Sequence, residues 1–146
     1  MIRLKMAWLT IYDLKNDHRF VESVQHATLN TKIYGIEQTH GLFGSPDWWG
    51  QVESGALPLE TLKGKIIRVS MESMRDWPVF EMLCDDGTSR KFTREQSPGD
   101  GTLDHHYQVG KSVEVDFVWQ QFRKERPEPR LSDSTDCVVA IRIEIN

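Results

Sequence analysis

The sequence predicts a mostly β protein: a small β-barrel from about residue 62 to 146, with an N-terminal helical extension packed on it. Two runs carry this reading. Val113, Val115, Phe117 and Trp119 occupy alternate positions of one, and Val139, Ile141, Ile143 and Ile145 alternate positions of the other. An apolar residue at every second position buries one face of a strand and leaves the other wet. Further β-type runs recur through the same segment with turn signals between them, the pattern of a barrel or rolled sheet. Residues 1–61 then form the helix-containing extension and 62–146 the barrel, in one compact unit.

The bulk numbers agree with one ordinary globular domain. A chain of 146 residues can bury roughly two-thirds of its unfolded surface without disulfide or metal staples. Its 38% hydrophobic and 27% charged residues are typical of such domains. The net charge of −4 divides evenly, with 5 basic against 7 acidic residues in 1–62 and 13 against 15 in 63–146. Neither half is a basic arm, which argues against general attraction to phosphate backbone or anionic lipid and leaves only a local basic patch. Cys84 and Cys137 fall in β runs and read as small buried hydrophobes, not as a disulfide framework. Arg3 and Lys5 precede an apolar run, but Thr10, Tyr12 and Asp13 break it and no small-residue cleavage site follows. Nothing reaches the length of a membrane span. The expectation is a soluble, cytoplasmic protein with no membrane partner.

Taken in order, the first fourteen residues fit two periods. Leu4, Trp8, Ile11 and Tyr12 would share a helical face, whereas Leu4, Met6, Trp8, Thr10 and Tyr12 would share a strand face; aromatic and β-branched content favours the strand. Asn16 and Asp17 can cap a helix over His18–Leu29, with Phe20, Val21, Val24 and Ala27 on its buried side. Lys32 to Gln38 returns to short alternation, weakened by Gly35. Ser45-Pro46-Asp47-Trp48-Trp49 opens a two-turn helix that Gly55 can close, since Ser45 can cap, Pro46 suits the first position and Asp47 favours the positive end of the dipole. The two tryptophans stand about 100° apart around that axis, and the helix is read as structural more than as an aromatic docking surface. Gly41, Gly44, Gly50 and Gly55 are too irregular for a phosphate loop and read as turn residues.

Leu57-Pro58-Leu59-Glu60 is a connector. The first barrel strand runs from Leu62 or Lys65 to Met71, with Ile67, Val69 and Met71 on one face and Arg68 and Ser70 on the other. Glu72 to Asp76 is a loop, and Pro78 marks a strand end or edge. Val79–Asp85 and Thr88–Thr93 read as a hairpin. A two-residue turn would set Glu81 against Phe92; a three-residue loop with Gly87 left-handed sets Phe80 against Phe92 and Glu81 against Lys91, and is the register chosen. Arg94 to His106 is a polar loop around Ser97-Pro98-Gly99-Asp100-Gly101, and Gln120 to Thr135 a long charged loop before the closing strand Cys137–Ile145. The turn Val109-Gly110, leading to Val113-Glu114-Val115, resembles one that recurs in OB-fold and SH3-like barrels. Five β runs with a long third connection and a long last loop fit an OB-like order, with an SH3-like barrel as the rival.

In an OB-like barrel the 72–77 and 120–135 loops would flank the binding face. The candidate ligand-binding residues are therefore Arg75, Trp77, Trp119, Phe122, Arg123, Lys124 and Arg126, a mixture of stacking rings and cations suited to single-stranded nucleic acid. Against this, Glu125 and Glu128 interleave with the cations, the chain is acidic, and Trp119 continues an inward alternation and so belongs to the core. Asp104-His105-His106 is the one acid–base cluster, but neighbouring histidines on an extended segment point to opposite sides and no metal-ligand spacing supports them. Cys84 is a buried thiol and no Gly-x-Ser-x-Gly elbow exists. No metal or cofactor is expected. The first reading is a non-catalytic binding module whose partner is another protein, with Trp and Arg as anchors. The alternatives are an OB-type single-stranded nucleic-acid binder and an enzyme with its site near His105 and His106. Homo-oligomerisation is left open.

Overall fold

The computed structural model describes residues 7–123 and 134–145. Six antiparallel strands form one sheet: β1 (Trp8–Asp13), β2 (Glu60–Glu72), β3 (Trp77–Cys84), β4 (Ser89–Thr93), β5 (Ser112–Gln121) and β6 (Ser134–Glu144), in the order β1-β6-β5-β2-β3-β4. Two helices accompany them, α1 (His18–Asn30) and α2 (Pro46–Ser54). The mostly β class expected from the sequence holds. The barrel does not, because the sheet is open. Closure requires the end strands to pair with each other, and here β6 takes β1 as its outer neighbour while β4, only five residues long and carrying Arg90 and Lys91, ends the other side. Short, charged edge strands resist further pairing. No helix among the described residues is long and apolar enough to cross a membrane.

The chain divides into two compact units. The first contains, of the described residues, 7–13, 61–116 and 140–145. Its first strand settles the early ambiguity: β1 pairs with β6, Leu9 opposite Ile143 and Tyr12 opposite Ile141, with a bulge between Thr10 and Tyr12. That extra residue shifts the alternation, so Ile11 and Tyr12 are both buried. A second bulge between Ile66 and Arg68 corrects the expected face of β2. Ile66 is buried, while Ile67, expected inward, is half exposed. The β3–β4 hairpin has the chosen register, Phe80 opposite Phe92 and Glu81 opposite Lys91. Phe80 is fully buried, its ring 5.9 Å from Phe92 and 5.0 Å from Tyr107. Val113, Val115, Ile141 and Ile143 are shut off from water, as their period demands. On the sheet's other side Arg142 bridges β6 to β5, donating to both Asp116 oxygens at 2.7 and 2.8 Å and to Glu114 at 3.1 Å. Burial pushes the Asp116 carboxyl up, but the bonds from Arg142 and Thr61 outweigh it and hold it below the ordinary aspartate range.

The second unit contains, of the described residues, 14–60, 117–123 and 134–139. Asp17 caps α1 by accepting from the Phe20 amide, and Ser45 caps α2 by accepting from the Trp48 amide, with Gly55 left-handed at its end. Trp48 is fully buried: its Nε1 donates to Gln120 Oε1 at 3.1 Å, and its ring meets Phe43 and Trp49 edge-on, both at 4.9 Å. The structural reading of α2 is thus the observed one for Trp48. Along α1 the expected Val21, Val24 and Ala27 are partly buried, and Phe20 departs from expectation. Phe20 is half exposed and leans edge-on against Phe43, and the one buried residue of the helix is Thr28. Its hydroxyl donates to Val24 O and accepts from the Ile36 amide, so a polar group closes the corner after the helix.

Candidate functional site

The sequence-predicted residues fall in both units. Arg75 and Trp77 belong to the first; Trp119, Phe122 and Arg123 belong to the second; Lys124 and Arg126 lie outside the described residues. Trp119 is not core. Inward alternation along β5 holds through Phe117, then Val118 and Gln120 are buried instead, and Trp119 is left 46% exposed with its ring edge-on to Phe117. Phe122 makes an isolated β-bridge with Ile36. Arg123 donates to the Thr28 carbonyl at 2.6 Å and lies 3.9 Å from Glu37, so its guanidinium is engaged within its own unit. Of the candidate cations, Arg123 thus spends its charge inside its own unit.

Arg75 and Trp77 stand where the first unit concentrates its unusual geometry. Glu72 pairs with Trp77, leaving Ser73 to Asp76 as a four-residue tip between β2 and β3. Ser73, Met74 and Arg75 take φ of 51°, 61° and 72°, three consecutive left-handed residues without a glycine. The clash of Cβ with the carbonyl in that region costs roughly 1–2 kcal/mol per residue. The Asp76 amide turns back to Glu72 O at 3.1 Å and Ser73 O at 3.3 Å. Met74, at the apex, is 95% exposed, and Trp77 is 54% exposed.

The stem beneath this tip is fastened from below. Trp77 Nε1 donates to Thr93 Oγ1 at 2.9 Å, which sets the indole without covering it. Lys91 pairs with Glu72 at 2.5 Å. Arg94, almost buried, donates through Nη1 to Ser70 O on β2 and Val79 O on β3, and through Nε to Asp104 at 3.0 Å. One guanidinium thereby clamps the two strands that carry the tip, a role no sequence pattern announced. Beside it opens a cleft of about 330 Å³ lined by Asp76, Trp77, Pro78, Thr93, Arg94, Glu95, Gln96 and Gly99.

The other chemical candidates are accounted for by packing. The extended segment expected at His105-His106 is a 3-10 turn, Asp104–His106, which brings the two rings to 4.1 Å of each other and corrects the expectation that they diverge. Burial, then the charges of His105 and Lys111, hold the His106 imidazole below its ordinary range. Among the described residues, no three His, Cys, Asp or Glu side chains converge on a point that could hold a metal. Tyr107 is buried and donates to the Glu95 carbonyl; burial, with Glu95 and Asp104 beside it, raises its hydroxyl far above the phenol range. Both cysteines are free, Cys84 is buried, and burial and then Asp136 push the Cys137 thiol up to about 12, away from thiolate reactivity.

Comparison with known proteins adds one finding. No curated protein matches the chain. Residues 5–144 match a family model described as Immunity protein RhsI2. With the match running through both units and nearly the whole sequence, the chain belongs to the RhsI2 immunity protein family.

Proposed function

We propose that this chain is an immunity protein that neutralises a toxin by binding it, without catalysis. Family membership over residues 5–144 is the observation that carries the reading. The chemistry of the surface supports it. Met74, Trp77 and Trp119 hold large apolar side chains in water, tryptophan being a type that supplies much of the energy at protein interfaces and methionine a type enriched there. Arg94, Arg123 and Arg142 are committed to partners within their own units. A net charge of −4 gives little general attraction to nucleic acid. A protein-binding module is also the first reading of the bare sequence.

The test is protection together with complex formation. Cells producing the cognate toxin are grown with and without this chain, and the two purified proteins are titrated calorimetrically. Rescue of growth with a stoichiometric complex supports the reading. Death of the co-producing cells with no heat of binding overturns it.

A further inference from the structure

Resting on that toxin-binding reading, we propose that the β2–β3 tip and the cleft behind it are the element that recognises the toxin. Met74 and Trp77 would enter an apolar pocket of the toxin, and a basic side chain of the toxin would enter the cleft.

Three observations, all within the first unit, lead there. The tip keeps three left-handed residues with side chains where glycine, asparagine or aspartate would relieve the backbone. Such strain persists only where the surroundings enforce it, and it gathers at functional positions. Here the enforcing parts are visible: Arg94 ties β2 to β3, Lys91 holds Glu72, and Thr93 holds the Trp77 indole. Next, the strained residues do not serve the core, because Met74 is 95% exposed at the apex. A stiff stem spares the backbone's share of the ordering cost, so that binding has only the Met74 side chain left to fix.

Charge then selects what enters the cleft. The exposed carboxylate of Asp76 lines it beside the guanidinium of Arg94, which already donates to Asp104 and two carbonyls. The wall therefore favours a cation. Because Asp76 adjoins Trp77 in sequence, one toxin segment with an apolar patch beside a lysine or arginine can meet both.

The experiment uses the full chain and the purified cognate toxin. Wild type is titrated first, and its failure to bind would remove the toxin-binding reading and this inference with it. Given binding, Met74→Asp and Trp77→Ala should each weaken it by about tenfold or more, with melting curves retained for Met74→Asp because that side chain touches little. Asp76→Lys should weaken binding by a similar factor, while Val109→Asp, an exposed apolar position of the same unit away from the tip, should leave it unchanged. Affinities within about twofold of wild type for both Met74→Asp and Trp77→Ala overturn the inference, and undiminished binding by Asp76→Lys overturns its charge component. A free chain that self-associates, and becomes monomeric with Met74→Asp while toxin affinity is unchanged, assigns the tip to a second copy and overturns it as well.

Discussion

Strand β3 is entered through one hairpin turn and left through another. The turn after it, Asp85-Asp86-Gly87, spends its left-handed position on Gly87 at φ 89°, where an added Cβ would meet nothing within 4 Å. The Gly87 amide donates to Cys84 O, and the Asp86 carboxylate accepts from both the amide and the hydroxyl of Thr88. The turn before it places Ser73, Met74 and Arg75 in the same region with no glycine and lifts an apolar residue into water. The first turn is what local chemistry alone would choose. The second is what the β2–β3 register and the Arg94 clamp impose, at a cost in stability. A costly turn beside an inexpensive one in the same unit is what the proposed role of the tip calls for.

The largest effect tests the stem both turns share. Phe80→Ala should cost about 3–5 kcal/mol, since it empties a fully buried ring site between Phe92 and Tyr107. Urea unfolding would read this as a lower midpoint; a loss under about 1 kcal/mol would mean that the two hairpins do not depend on that cluster. Next comes a pair of opposite sign. Gly87→Ala should lose about 1 kcal/mol through backbone strain alone, the space around it being empty. Met74→Gly should gain up to roughly 1 kcal/mol, the relief of a left-handed side chain less the added freedom of the unfolded chain. The same Met74→Gly protein should bind the toxin less well. If both substitutions destabilise equally, the contrast between the turns is gone.

How much of this could be read beforehand follows the same divide. Where a local demand dominates, the residues state it: Gly87 gave the hairpin register, Ser45 and Gly55 the ends of α2, and the Val113 and Val139 runs their buried faces as far as Phe117 and Ile143, with Trp119 and Ile145 exposed beyond them. Where the demand comes from elsewhere in the fold, they do not. The bulges at Ile11 and Ile67 shift the alternation by one residue, and nothing in either segment marks where. The open sheet follows from β1 joining β6, a pairing of the chain's two ends that no local pattern encodes. Of the candidate site, Arg75 and Trp77 were found through their loop, and Trp119 proved exposed against its strand's period. Met74 was missed because a methionine in a polar loop carries no signal until its backbone is seen. Arg94 was missed because its burial depends on three elements meeting.

The smallest effect concerns the bond that relaxes the glycine turn after β3. Asp-Gly-Thr occurs twice, at Asp86-Gly87-Thr88 and Asp100-Gly101-Thr102, each time with the glycine left-handed and the carboxylate accepting from the threonine amide and hydroxyl. The hydroxyl bond first, then the amide bond, holds each carboxyl below the ordinary aspartate range. A folded-state value below the unfolded one means stability that is present above the unfolded value and lost as pH falls through the folded one. Thr88→Ala should therefore destabilise the protein slightly at neutral pH and not at all in strong acid. The Asp86 carboxyl midpoint, followed by carbon NMR, should move upward in that variant while Asp100 stays in place. Because both groups are fully in water, the change is small, and an Asp86 midpoint that does not move would show that Gly87 alone settles the turn.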